Sequence, residues 1–186
     1  MLCGMSVRGD PIRFTARLLR PAQPKGAAWT FLVLPDGASG LLPSRSQVTV
    51  DATLDGHAFQ ATLEPDGRGG HWLKVGKALR EAAGAEVGAT VSLTMAPVAK
   101  EPEPRLPPDL RKALGADAEA QARWTGLTTV ARRDWIQWIV SAKKPETRER
   151  RIAGTPDMLR SGKRRVCCFD RSGIYGKNLS APEAAP

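Results

Sequence analysis

Residues 48–63, Val48-Thr49-Val50-Asp51-Ala52-Thr53-Leu54-Asp55-Gly56-His57-Ala58-Phe59-Gln60-Ala61-Thr62-Leu63, decide how the first half of this chain folds. Val48, Val50, Ala52 and Leu54 alternate with Thr49, Asp51 and Thr53. A period of two sends successive side chains to opposite faces of a strand, one toward a core and one toward water. Asp55-Gly56 follows, and both residue types tolerate the positive φ that a two-residue hairpin turn requires. Ala58 to Leu63 then returns as the partner strand.

Similar signals spread outward from this hairpin. Residues 12–20 alternate through Ile12, Phe14, Ala16 and Leu18, as a half-buried strand does. Ala28 to Leu34 is more continuously apolar and is stopped by Pro35-Asp36-Gly37, after which a Gly- and Ser-bearing loop reaches Ser46. Downstream, the loop Pro65 to Gly70 leads to a short strand, His71 to Val75. Lys77 to Ala83 suits a short helix stopped at Gly84, and Thr90 to Met95 is a last strand. Six short β-segments, frequent turns and one small helix predict a small β-barrel over residues 12–96, preceded by a flexible tail at 1–11.

The period changes after residues 97–108, where Pro97, Pro102, Pro104, Pro107 and Pro108 describe an extended, semi-rigid linker. Pro108-Asp109 opens a helix that stops near Gly115, and Ala116 to Trp124 is a second, closed by Gly126. Thr128 is a natural N-cap for a third, running to about Lys143. On it Ala131, Trp135, Trp138, Ile139 and Ala142 share a face, which leaves Arg132, Arg133, Asp134 and Gln137 on the wet side. Pro145 fits the first turn of the next helix. Pro156 ends or kinks that helix, and Thr155-Pro156-Asp157 starts another that stops at Gly162. The helical module spans 109–162, and 163–186 reads as a basic tail. The fold class is therefore α+β.

With 28 Lys and Arg against 19 Asp and Glu, the net charge is +9, which favours acidic partners. The charge is uneven, +2 over residues 1–96 and +7 over residues 97–186. Three cysteines, Cys3 and the adjacent Cys167-Cys168, form no disulfide framework, so a reducing cytoplasm is expected. No apolar run approaches the roughly 18 residues of a membrane span.

Ala142-Lys143-Lys144-Pro145-Glu146-Thr147-Arg148-Glu149-Arg150-Arg151-Ile152 resembles the YdeI/OmpD-associated, or bacteriocin-protection, family. The resemblance extends from Leu106-Pro107-Pro108-Asp109-Leu110 through Trp135-Ile136-Gln137-Trp138-Ile139 to Met158-Leu159-Arg160-Ser161-Gly162-Lys163-Arg164. The first half is similar to the domain-of-unknown-function 1905 family at Phe14, Trp29, Leu34-Pro35, Leu54-Asp55-Gly56, Leu63, Pro65, Gly70-His71 and Lys77 to Arg80. The resemblance implies a bacterial protein with a double-split β-barrel followed by an all-helical module, and it transfers no catalytic residue. It suggests a role in envelope stress or protection against antimicrobial peptides. Pro156 stands where that family usually continues the helix with an apolar residue.

The basic run is the leading candidate for a binding surface. Lys143, Lys144, Arg148, Arg151, Lys163, Arg164 and Arg165 could hold phosphate, nucleic acid or an acidic protein surface, because guanidinium forks match oxyanion geometry. A solvated helix face with local ion pairs is the competing reading. Trp124, Trp135 and Trp138 could stack bases, but helical spacing on the apolar face favours the core. His57 and His71 are too few for a zinc site, and no metal or cofactor is expected. Cys167 and Cys168, flanked by arginines that favour thiolate, are weak redox candidates. Gly67-Arg68-Gly69-Gly70 lacks the Lys-Ser/Thr of a phosphate loop and reads as a hairpin connection.

These residues favour a non-enzymatic cytoplasmic binding protein with a protein or peptide partner. The alternatives are a nucleic-acid-binding protein that uses the basic helices, and an enzyme with a small-molecule pocket between the two modules. The sequence leaves the oligomeric state open.

Overall fold

The alternating segments pair into one six-stranded antiparallel sheet. The structure, a computed structural model, describes residues 10–166 and 180–186. Within it β1 is Ile12–Arg17, β2 Thr30–Val33, β3 Val48–Leu54, β4 His57–Pro65, β5 His71–Val75 and β6 Thr90–Pro97. The strand order is β1-β6-β3-β4-β5-β2. Met95 lies opposite Ile12 on one side and Ala52 on the other. The sheet then curls back on itself. Reciprocal backbone bonds between Leu19 and Phe31, at 2.7 and 2.9 Å, link its two outermost strands at their ends, so the barrel is nearly closed. Curling removes sheet edges that would otherwise expose unpaired backbone groups.

The hairpin turn is as its residues demand. Asp55 sits at φ 45° and Gly56 at φ 86°, the two left-handed positions of a type I′ turn. The turn also joins the sheet sideways, because the Asp55 carboxylate accepts the Ser92 N–H at 2.8 Å. Inward-facing side chains fill the barrel: Leu18, Leu32, Val50, Leu54, Leu63, Leu73 and Val75 are completely buried. Burying each such aliphatic side chain contributes about 1.5–3 kcal/mol.

Two short helices decorate the barrel, α1 Asp36–Gly40 and α2 Lys77–Ala82. The first falls within the segment that the sequence assigns to a loop; five residues carry too little helical period to be read.

The second compact unit is helical: α3 Pro108–Gly115, α4 Ala118–Thr125, α5 Thr129–Val140 and α6 Pro145–Arg160. Its caps follow the chemistry of their residues. The Thr128 hydroxyl accepts from the Ala131 N–H at 3.2 Å, and the Asp117 carboxylate accepts from the Ala120 N–H at 2.9 Å. Proline occupies the first turn of α3 and α6, where its missing N–H leaves no intrahelical bond unmade. Leu110, Leu114, Trp124, Ala131, Trp135, Ile139 and Leu159 form the core.

Two expectations are corrected. α6 is one helix of 16 residues that continues through Pro156, with no break and restart. The Thr155 hydroxyl donates to the Arg151 carbonyl at 2.7 Å, one turn back, beside the position where proline removes a donor. Asp134 is not on the wet side but only 6% exposed, and the side chains of Arg133 and Arg132 are also largely covered. The proline-rich segment pairs with both arginines: Glu101 lies 2.6 Å from Arg133, and Glu103 grips Arg132 with two bonds of 2.7 and 2.8 Å. Finally, the last residues of the expected basic tail, 180–186, make backbone pairings of their own. Residues 180–186 belong with the barrel, where Ala22 N–H donates to Glu183 and Ala185 N–H donates to Arg20. The calls on the first nine residues, and on Cys167 and Cys168, lie outside the described residues.

Candidate functional site

The seven basic residues named by the sequence divide into two kinds. Arg148 and Arg151 belong to the internal structure of the helical unit. Arg148 makes a forked pair with Asp109, at 3.0 Å from Nε and 2.8 Å from Nη2 to Oδ2. That pair ties α6 to the first turn of α3. Burial alone would raise the Asp109 carboxyl, but the Arg148 bonds and the Leu110 N–H outweigh it and hold it below the usual range. Arg151 donates to the Trp138 carbonyl and lies 5.1 Å above the Trp138 ring, a cation–π contact. Both side chains therefore link helices.

Lys143, Lys144, Lys163, Arg164 and Arg165 are exposed. Lys143 and Lys144 stand at the start of α6. Lys163, Arg164 and Arg165 follow its end, where Gly162 turns the chain at φ 83°. They do not face plain solvent. Lys163 and Arg164 line a cleft of about 280 Å³ with Arg123, Ala122, Gly126 and Leu127. Arg164 and Arg165 line an adjoining cleft of about 350 Å³ with Leu127, Thr128 and Ala131. Leu127 and Arg164 are common to both, so the two form one furrow with an apolar floor and a cationic rim. Arg123 is the member that sequence reading missed. Its only ion pair among the described residues is a 3.7 Å contact with Glu119, both side chains more than half exposed, an interaction worth well under about 1 kcal/mol.

Trp124 and Trp135 are buried, and Trp138 is half-buried beneath Arg151. Trp135 and Trp138 meet edge to face with centroids 5.9 Å apart. No described Trp of this unit offers an open face for stacking. Among the described residues no three His, Cys, Asp or Glu side chains converge as metal ligands, and no helix is long and apolar enough to cross a membrane.

Residues 14–95 match the family model of a domain of unknown function, DUF1905, and residues 103–162 match the model described as Bacteriocin-protection, YdeI or OmpD-Associated. The barrel is thus similar to DUF1905, and the helical unit to the OmdA module. A search of the curated proteins found no match.

In the OmdA module, Asp134 sits on α5 with Arg133 beside it, and both Arg133 and Arg165 favour its ionised form. Burial outweighs them and raises its carboxyl above the usual range, with Glu101 adding a smaller push in the same direction. In the DUF1905 barrel, His71 is fully buried. Its Nε2 lies 3.0 Å from the Ser46 carbonyl, and its Nδ1 lies 3.3 Å from the Ser39 hydroxyl, which also accepts the His71 N–H at 3.1 Å. A carbonyl only accepts, so Nε2 carries a proton. Every polar group of His71's side chain is thereby satisfied by protein. His57 is exposed at the hairpin turn, so the two histidines have separate surroundings.

Proposed function

We propose that this is a non-enzymatic cytoplasmic binding protein whose OmdA module takes an acidic segment of a partner protein bearing an apolar anchor. The furrow around Leu127 carries this reading. Its floor of Leu127 and Ala131 suits an aliphatic or aromatic side chain, and its rim of Arg123, Lys163, Arg164 and Arg165 suits flanking carboxylates. A phosphodiester backbone would meet the rim but leave the floor unused. The burial of Trp124 and Trp135 further weakens a nucleic-acid reading that depends on stacking. The bacteriocin-protection description of the family model is in keeping with a role in peptide protection.

Fluorescence anisotropy with the full chain tests this. The probes are a labelled Asp/Glu-rich peptide containing Leu and Phe, the same peptide with both replaced by Ser, single-stranded RNA, and duplex DNA, each across a salt series. The first peptide is expected to bind best, and to lose at least about tenfold in affinity both on anchor removal and in a Lys163→Glu, Arg164→Glu variant. RNA or DNA binding tighter than about 1 μM near physiological salt, lost in that variant, would replace the peptide reading with the nucleic-acid one.

A further inference from the structure

The barrel carries a second cationic site that the helical module does not share. Residues 36–45 and the β4–β5 loop, residues 66–70, enclose an open cleft of about 550 Å³. That lies within the roughly 300–1,000 Å³ of small-molecule sites. Arg45, Arg68, Ser44 and Asp36 all line it. Among the described residues neither guanidinium has an ion-pair or hydrogen-bond partner. Arg45 reaches across to the loop that carries Arg68: a Cβ built on Gly69 would lie 3.7 Å from Nη1 of Arg45.

The walls are held in place before any ligand arrives. Asp66 accepts the N–H groups of Arg68 and Gly70, each at 2.8 Å, which fixes the loop carrying Arg68. Gly70 is packed so tightly that a Cβ there would lie 2.6 Å from the Asp66 carboxylate. On the opposite wall, Ser44 is anchored by the Ser46 N–H at 3.0 Å. His71 ties the two walls together through Ser39 and the Ser46 carbonyl. A site with fixed walls loses less conformational freedom on binding.

We propose that this cleft binds the phosphate group of a small molecule, either free inorganic phosphate or a phosphorylated polyol. Two guanidinium forks supply parallel N–H donors to the oxygens of a terminal phosphate. The Ser44 hydroxyl, 2.8 Å from the Ser46 hydroxyl, donates to the ligand when Ser46 donates to it. Asp36 repels a phosphate placed beside it but accepts hydrogen bonds from hydroxyl groups, so it orients a polyol with the phosphate toward the arginines. Asp36 and the wall's Asp66 balance the two arginines in formal charge, so the preference for phosphate rests on the guanidinium donors and not on net charge.

Titration of the full chain with inorganic phosphate, ribose 5-phosphate and ribose decides this. It is followed by calorimetry and by amide NMR shifts at Arg68, Gly69 and Gly70. Phosphate is expected to bind at millimolar concentration or better, and ribose not at all. Ribose 5-phosphate tighter than phosphate identifies a phosphorylated polyol as the ligand; equal affinities identify free phosphate. Arg45→Gln and Arg68→Gln are each expected to weaken binding at least about tenfold. Both side chains are exposed, so melting temperatures are expected to stay unchanged. Phosphate that fails to bind, or that binds equally well to both variants or shifts other amides only, overturns the proposal.

Discussion

Asp134 is a carboxyl buried on α5. Burial raises its carboxyl above the usual aspartate range despite Arg133 and Arg165. The folded state therefore binds the proton more tightly than the unfolded chain does. Stability associated with this group is fully present below about pH 4, the unfolded value, and is lost as pH rises through the raised folded value. Asp134→Asn removes that loss. Its melting temperature relative to the parent is expected to increase from pH 3 to pH 7, and a difference that is flat with pH would contradict the assignment. The sequence conceals this site for a definite reason. Its charge argues for the wet side, although Asp134 stands one turn before Trp138 and so borders the apolar face. Its neighbour Arg133 pairs with Glu101, more than thirty positions away, and no local period encodes that pairing. His71 was similarly hidden, since Ser39 and Ser46 lie 32 and 25 residues from it. Arg45 and Arg68 line one cleft only after the hairpin loop folds against the segment following α1.

At the scale of elements, α6 holds an internal proline that should weaken it. Pro156 has no N–H for the Ile152 carbonyl, yet the helix persists because Thr155 and Leu159 are buried beneath its neighbours. Tertiary packing has overridden propensity. Pro156→Ala restores a donor and is expected to stabilise the protein, by up to about 3 kcal/mol, measured by denaturant titration. A loss of stability would mean that the proline ring itself packs usefully. Strands were more legible than helix ends. The β3–β4 hairpin carries both its alternation and its turn in sixteen consecutive residues, and the structure reproduces them together. Thr128 announced the start of α5 because capping is local chemistry. The end of α5 was placed about three residues too late, at Lys143 instead of Val140, because no glycine or proline stands between Val140 and Pro145.

At the scale of the molecule, the chain leaves the barrel unit after residue 100 and residues 180–186 return to it. Ser180-Ala181-Pro182-Glu183-Ala184-Ala185-Pro186 has no period and reads as an end without structure; its partners are the backbone of Arg20 to Ala22, which sequence patterns do not reveal. Deleting residues 180–186 removes two backbone hydrogen bonds, each contributing about 1 kcal/mol. Hydrogen exchange at the Ala22 amide is expected to accelerate in that truncation. Unchanged protection there would show that the pairing does not persist in solution.

That return has a consequence for the unfolded helical unit. While the clasp at Ala22 and Glu183 holds, a melted helical segment is not a free-ended polymer but a ring closed by the barrel. Ring closure removes conformations from the melted state, as a cross-link does, and for a loop of this size a permanent link would be worth roughly 4 kcal/mol. The clasp is reversible, so it can confer no more than its own two bonds, about 2 kcal/mol. The helical core is thus steadied from a distance by a pairing that touches none of its side chains.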